Sequence, residues 1–501
     1  MIAHGMSSAI LNFGSSSFHL VPLNLSLSYL IFKFFHLNYL AFNMVGLSFH
    51  FLNGFLTYLI SFRIFKKRWL AIISGVLFLT SGVSGQLVMW PAVSISTLSL
   101  TLALLAWLVV LKEKSKHGFL DGLLAAILMI LAFLTVEYSL GLLFFLPIVY
   151  LVIHNRQTLS ERMRFIIPIF VLSFLYFLVR LLPLFIKGTD TAKIVDTSSS
   201  PILNKIFSMP FKYLTQTIIP EDILVWISHL FTKNAIKAET LVFDSLTISF
   251  GILLSIILIF LLYLLIKRKE TNNLKIFISI LFFLFISCAP YILLPGIAGQ
   301  FSIFPPRYLY FGITGTALLI TFVLNVNPFV PKNKVKITAL AIISLMILVG
   351  IVENIKREQT LLEVGKTRES ILVSIQKSYP KLPKKVVFYT ESDSSYYYQQ
   401  EKILPFQSGV GQTLLVWYFE ENYDKSFYDD GFLWEINNQG YREAGDRGFG
   451  YFRDYQALSD TVKKYKIPLE SVIAFSWHGD SKKLINITDQ IRRKLEENGY
   501  E

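Results

Sequence analysis

The chain has 501 residues, 53% of them hydrophobic and only 16% charged, and a net charge of +13. Soluble globular chains carry about 25% charged residues, so collagen, coiled coil, disordered chain and cytosolic enzyme are all excluded. The apolar excess gathers in spans of about 20 residues, which makes this a polytopic membrane protein: an all-α helical bundle followed by a soluble α+β domain.

Residues 1–37 have no basic leader and no continuous apolar core, so they read as an external or interfacial segment rather than a cleavable signal. Within them, 20–37 carries Pro22 and Lys33 and suits a half-inserted helix. Ten spans are then predicted, near 40–62, 68–88, 92–111, 118–135, 138–154, 163–186, 241–266, 274–294, 307–325 and 336–353. Together they form a membrane domain over 38–353.

The loops 63–68, 112–116, 156–164, 267–275 and 332–336 hold 17 Lys and Arg residues, and the alternate short loops hold almost none. Basic loops stay in the cytoplasm. The positive charge is therefore a topology signal, and no nucleic-acid motif accompanies it. Both termini, the 187–240 loop and the domain over 354–501 are expected outside the cytoplasm. In that domain KKVVFYTE and ESVIAFSW read as strands, and ITDQIRRKLEENG as a terminal helix with Thr488 at its N-cap and Gly499 as its stop. Residues 354–380 read as helix. Cys288 stands alone inside an apolar block, so no internal disulfide can form.

Ionisable residues inside a membrane are costly and mark function. His50 lies mid-span. Glu137, Arg180, Asp244 and Arg307 fall near the outer ends of their spans, and a carboxylate among guanidinium groups suits an anionic headgroup. Each also has a plain reading. The arginines can snorkel, His50 can bond a neighbouring helix, Glu137 can favour a helix N-terminus, and Trp90, Tyr308 and Tyr310 can belong to an interfacial aromatic belt. No metal-ligand spacing is present.

Four stretches in order resemble GT-C membrane glycosyltransferases, above all the protein O-mannosyltransferases with tetratricopeptide repeats and their bacterial relatives. They are the run from Phe18 to Phe65, with Pro22-Leu23, Asn43 and His50; SGVSGQLVMW, ending in Trp90; LTVEYSLG, with Glu137 in the acid position; and FPPRYLYF, with Arg307, Tyr308, Leu309 and Tyr310. The resemblance covers about residues 18–325. Val21 and Val136 stand where the family has Arg and Lys, and a different domain replaces the repeats. No acid precedes Glu113, so the family's first-loop base has no counterpart. The genomic frame upstream of Met1 is accordingly expected to encode one more span followed by Asp or Glu.

The resemblance implies transfer of a sugar from a polyprenyl-phosphate donor to a protein or glycan acceptor, outside the cytoplasm and at the cell membrane. Arg307, Tyr308, Arg180, His50 and Trp90 would bind substrate, with Glu137 offered as a catalytic acid. No cofactor is implied beyond the lipid-linked co-substrate, and a divalent metal stays open. The other reading is a catalytically degenerate scaffold or glycan-binding protein acting through Trp417, Tyr418, Phe419 and Trp434 of its tail. A transporter would need paired broken spans and midplane charges, which the sequence does not show.

Overall fold

The computed structural model describes residues 21–36, 38–90, 94–112, 118–136, 139, 141–187, 202–232, 236–292, 304, 306–326, 333–395, 402–406, 409–419, 436 and 439–499. They form two compact units, divided in sequence between Glu358 and Gln359.

The first unit is helical. Its helices are α1 (Pro22–Phe35), α2 (Tyr39–Phe65), α3 (Arg68–Thr80), α4 (Ser84–Met89), α5 (Thr97–Val110), α6 (Gly118–Thr135) and α7 (Leu142–Ile153). Then come α8 (Leu159–Lys187), α9 (Ile202–Ile218), α10 (Glu221–Thr232), α11 (Ile236–Lys267), α12 (Thr271–Ile292), α13 (Pro306–Val326) and α14 (Asn333–Ser378). Each apolar block predicted from the sequence contains a helix, but six helices among the described residues, not ten, are long and apolar enough to cross a membrane. The protein is membrane-embedded.

The clearest departure lies in the block 68–88. Helix α3 stops at Thr80, and 81–83 is a turn before α4. Thirteen helical residues reach only about 20 Å, short of a bilayer core of about 30 Å. The turn around Gly82 has a use, described below.

Helix α2 shows how the bundle packs. Its buried face carries Gly46, His50, Asn53, Gly54, Thr57 and Ser61, at three- and four-residue steps. Phe51 and Phe55, between them, are exposed, as on a lipid-facing side. Lipid tails are as apolar as leucine, so helices in a bilayer associate through small residues and polar bonds rather than through the hydrophobic effect. A Cβ on Gly54 would strike Leu79, and one on Gly75 would crowd the Gly54 carbonyl. Lower down, Ser74 joins Ser61 and Thr321 at 2.9 Å each. Trp107 stacks on Phe283, with centroids 4.8 Å apart, and meets the edge of Phe145.

The predicted 187–240 loop contains α9 and α10, two amphipathic helices. Phe207, Trp226 and Phe231 are exposed on them. That pattern fits helices lying in the membrane interface. Gly251 of α11 lets the Phe211 backbone of α9 approach closely.

The second unit holds a five-stranded sheet of β1 (Lys385–Ser392), β2 (Gly440–Ala444), β3 (Arg447–Phe452), β4 (Val472–His478) and β5 (Lys483–Asn486), in the order β2-β3-β1-β4-β5. The central strand β1 runs parallel to both β3 and β4, and only the edge pairs are antiparallel. This corrects the α+β expectation toward an α/β layering. A parallel centre must be covered on both faces, and β1 accordingly has five consecutive buried residues, 386–390. Phe388 and Ile473 face α15 (Val410–Phe419) and the end of α14, while Val387 and Val472 face α16 (Tyr455–Tyr465) and α17 (Thr488–Glu497).

On β3, Gly448 and Gly450 leave room for the Tyr441 ring of β2, which a Cβ at either position would strike. The terminal helix has Ile487 rather than Thr488 at its N-cap, with Thr488 its first helical residue, and Gly499 follows its end with φ of +85°. The Thr488 hydroxyl is not spent on a cap, however. It accepts from the Ala474 amide at 2.9 Å and ties the helix to β4.

Candidate functional site

Helix α13 opens with Arg307 and Tyr308. The Arg307 guanidinium lies over the Tyr308 ring, 4.8 Å from its centroid, and near the Trp90 ring at 5.6 Å. Its Nη2 donates to the Tyr308 hydroxyl at 3.3 Å. Tyr308 is itself packed against Tyr291, and Tyr213 donates to its carbonyl. Among the described residues Arg307 has no carboxylate partner. The result is a cation held on aromatic faces at a helix N-terminus, where the helix dipole also favours an anion. Three of the sequence-predicted binding residues, Arg307, Tyr308 and Trp90, are thus brought together.

His50 goes elsewhere. It is buried, with Nε2 3.3 Å from the Leu79 carbonyl and Nδ1 2.9 Å from the Tyr310 hydroxyl. A carbonyl can only accept, so the neutral ring carries its proton on Nε2 and accepts from Tyr310 at Nδ1. Tyr310 in turn accepts from Asn53 Nδ2 at 3.1 Å, and the Asn53 amide also bonds the Thr97 carbonyl and the Thr101 hydroxyl. Both ring nitrogens are therefore occupied in a helix-joining network. These bonds fit the plain reading of His50 as a residue that bonds neighbouring helices.

Arg180 belongs to α8, but its side chain is outside the described residues, and so is Glu137. Asp244 forms an ion pair with Lys212 of α9. In the second unit Tyr418 is packed against Phe388 and donates to the Tyr379 carbonyl, whereas Trp417 is part-exposed and donates to Gln376. Tyr418 is thus a core residue. The Phe419 side chain and Trp434 lie outside the described residues.

A second feature was not anticipated from the sequence. A cavity of about 50 Å³ lies between the 80–83 turn, the end of α9, α13 and α14. One water needs roughly 10–15 Å³ of such space, so there is room for about four. Two buried polar atoms without a hydrogen-bond partner among the described residues belong to its walls: Thr316 Oγ1 of α13 and Glu353 Oε1 of α14. Glu353 is only 4% exposed. A Cβ on Gly82 would overlap its carboxylate, and a Cβ on Gly350 would strike the Thr80 carbonyl. The two glycines let α14 seat an acid against the turn.

Charged neighbours surround this acid. Arg357, one turn further along α14, bonds Glu221 at 3.1 Å. Burial pushes the Glu221 carboxyl up from its ordinary range, and Arg357 opposes that shift. The Asn354 amide holds the Ser81 carbonyl at 3.2 Å. Sequence reading passed over Glu353 because it stands where an apolar span gives way to a charged stretch, and there it resembles any helix-end acid. Its one signal was an acid closing a sixteen-residue uncharged, mostly apolar run after Lys336. No group of His, Cys, Asp and Glu among the described residues could hold a metal ion.

The comparisons add no relative: no family model, no curated protein and no solved structure matches the chain.

Proposed function

We propose that this protein is a GT-C-like membrane glycosyltransferase, which transfers a sugar from a polyprenyl-phosphate-linked donor to an acceptor outside the cytoplasm. The reading includes ten spans, with α8 and the shorter apolar helices α3, α5 and α7 completing the bundle, and an extracytoplasmic second unit.

One observation carries it. Arg307 is fixed on Trp90 and Tyr308 at a helix N-terminus, with no carboxylate partner among the described residues. A guanidinium whose remaining N–H groups are unspent suits a phosphate. The amphipathic helices α9 and α10 support the same reading, since a lipid-linked donor must be met at the membrane surface.

In the reaction the departing lipid phosphate gains charge, and Arg307 stabilises it, as donors aimed at developing charge do. The test is Arg307→Ala in the full chain, reconstituted with radiolabelled polyprenyl-phosphate sugars. Transfer should fall about 10²–10³-fold at unchanged protein level, with partial retention in Arg307→Lys. Undiminished transfer by Arg307→Ala would overturn the assignment. A wild-type chain that binds but never transfers sugar would favour the scaffold reading.

A further inference from the structure

The family resemblance left the reaction without a base, and the structure holds a buried acid, Glu353, whose carboxylate takes the Asp222 backbone N–H while its Oε1 has no partner among the described residues. We propose that Glu353 is that base. The inference rests on the glycosyltransferase reading and adds to it the group that takes the acceptor's proton.

The cavity is the argument. Unpaired polar atoms in a buried site are costly unless a partner arrives. Here Glu353 and Thr316, each with a buried side-chain oxygen that has no partner among the described residues, belong to the walls of one small space from two different helices. The space holds a few water-sized centres, which admits a hydroxyl or hydroxymethyl group but not a sugar ring. The seat is built rather than accidental, since Gly82 and Gly350 both lack the Cβ that would close it.

The place is also right. The chain runs from the Gly82 turn directly through α4 to Trp90, and α13 runs from Arg307 to the cavity-lining Ile313, about 9 Å along the axis. Val83 lines the cavity and, like Tyr308, packs against the cluster of Tyr213, Tyr291 and Phe304. The cavity and the Arg307 site are therefore joined by two continuous segments of one unit.

The step balances. The acceptor hydroxyl oxygen bonds the anomeric carbon of the donor sugar while its proton passes to the Glu353 carboxylate. The bond from that carbon to the lipid phosphate breaks, and the electron pair leaves with the phosphate toward Arg307. Glu353 then returns its proton to water. The charged groups facing Glu353 are Glu221 and Asp222 of α10 and Arg357 of its own helix, and the 80–83 turn and the lining stretch of α13 contribute none.

The experiment uses the full chain in proteoliposomes with a radiolabelled polyprenyl-phosphate hexose, scoring donor binding and transfer separately. Glu353→Gln should leave donor binding unchanged and cut transfer by about 10²–10⁴-fold, the usual worth of a general base. The acidic limb of the pH–rate profile should vanish from the residual activity. If Glu353→Gln does not accumulate, Glu353→Asp serves, because drawing the carboxylate back by one methylene should still cost about tenfold or more. Transfer within threefold of wild type in either variant overturns the role, and so does a loss confined to donor binding. If Arg307→Ala is dead while Glu353→Gln is active, this inference alone fails. If the wild type transfers nothing, the glycosyltransferase reading fails and the base falls with it.

Discussion

Gly82 and Glu353 compete for the same space: the position of a Cβ on residue 82 falls on the Glu353 carboxylate. Gly82→Ala should therefore push α14 away from the turn or drive the carboxylate from its seat. Overpacking of this kind costs about 1–3 kcal/mol. Thermal unfolding in detergent should show that loss. Adding Glu353→Ala to Gly82→Ala should recover part of it, because the colliding atoms are gone. An additive double variant would show that the two side-chain positions do not meet.

The Asn53 amide ties α2 to α5 and α13 through Thr97, Thr101 and Tyr310. Asn53→Ala strips three bonds at once and should destabilise the first unit by about 1–3 kcal/mol. Tyr310→Phe removes one hydroxyl, and interhelical bonds in a bilayer average about 0.6 kcal/mol each, so its effect should be visibly smaller. A double-mutant cycle read by unfolding in detergent checks the pair. Equal losses from the two single variants would contradict the network.

Lys385 on β1 and Glu443 on β2 both sit opposite Gly448 of β3, and their side chains meet across it at 2.8 Å. The hydrogen bond from Lys385 holds the Glu443 carboxyl below its ordinary range. A depressed carboxyl pKa adds stability that is fully present above the unfolded-state value and is lost as pH falls through the folded one. The second unit should thus lose up to about 1 kcal/mol on acidification, a modest sum because both groups are about one-third exposed. Lys385→Met should abolish that part of the pH dependence. Amide exchange along β2 at two pH values measures it, and an unchanged acid limb in Lys385→Met would refute the pairing.

Topology gives a test independent of chemistry. Reporter fusions after residues 66, 115, 158, 270 and 334 should report cytoplasm, and fusions at 210 and 450 the exterior. This follows from the alternating basic loops. A cytoplasmic signal at 450 would mean that the spans are miscounted, with the 20–37 segment as the missed crossing.

The sequence by itself determined the class of protein and the positions of its helices. Long apolar blocks can satisfy their backbone in a bilayer only as helices, which is why 118–135 was read to the residue. In the second unit the strands β1 and β4 and the stop at Gly499 were equally plain, because continuous β-branched and aromatic runs and a left-handed glycine are local signals.

Only the tertiary structure decided what those elements do. The break at Gly82 looks like part of one apolar block until α14 is seen pressed against it. Glu353 looks like an ordinary helix-end acid until its burial and unpaired oxygen are known. His50, which the sequence singled out as an ionisable residue within a span and through the family resemblance, is engaged on both ring nitrogens. The parallel centre of the sheet was hidden for the same reason. Which strand lies beside which, and which polar atom finds a partner, depends on residues far apart in the chain, and no local pattern encodes that.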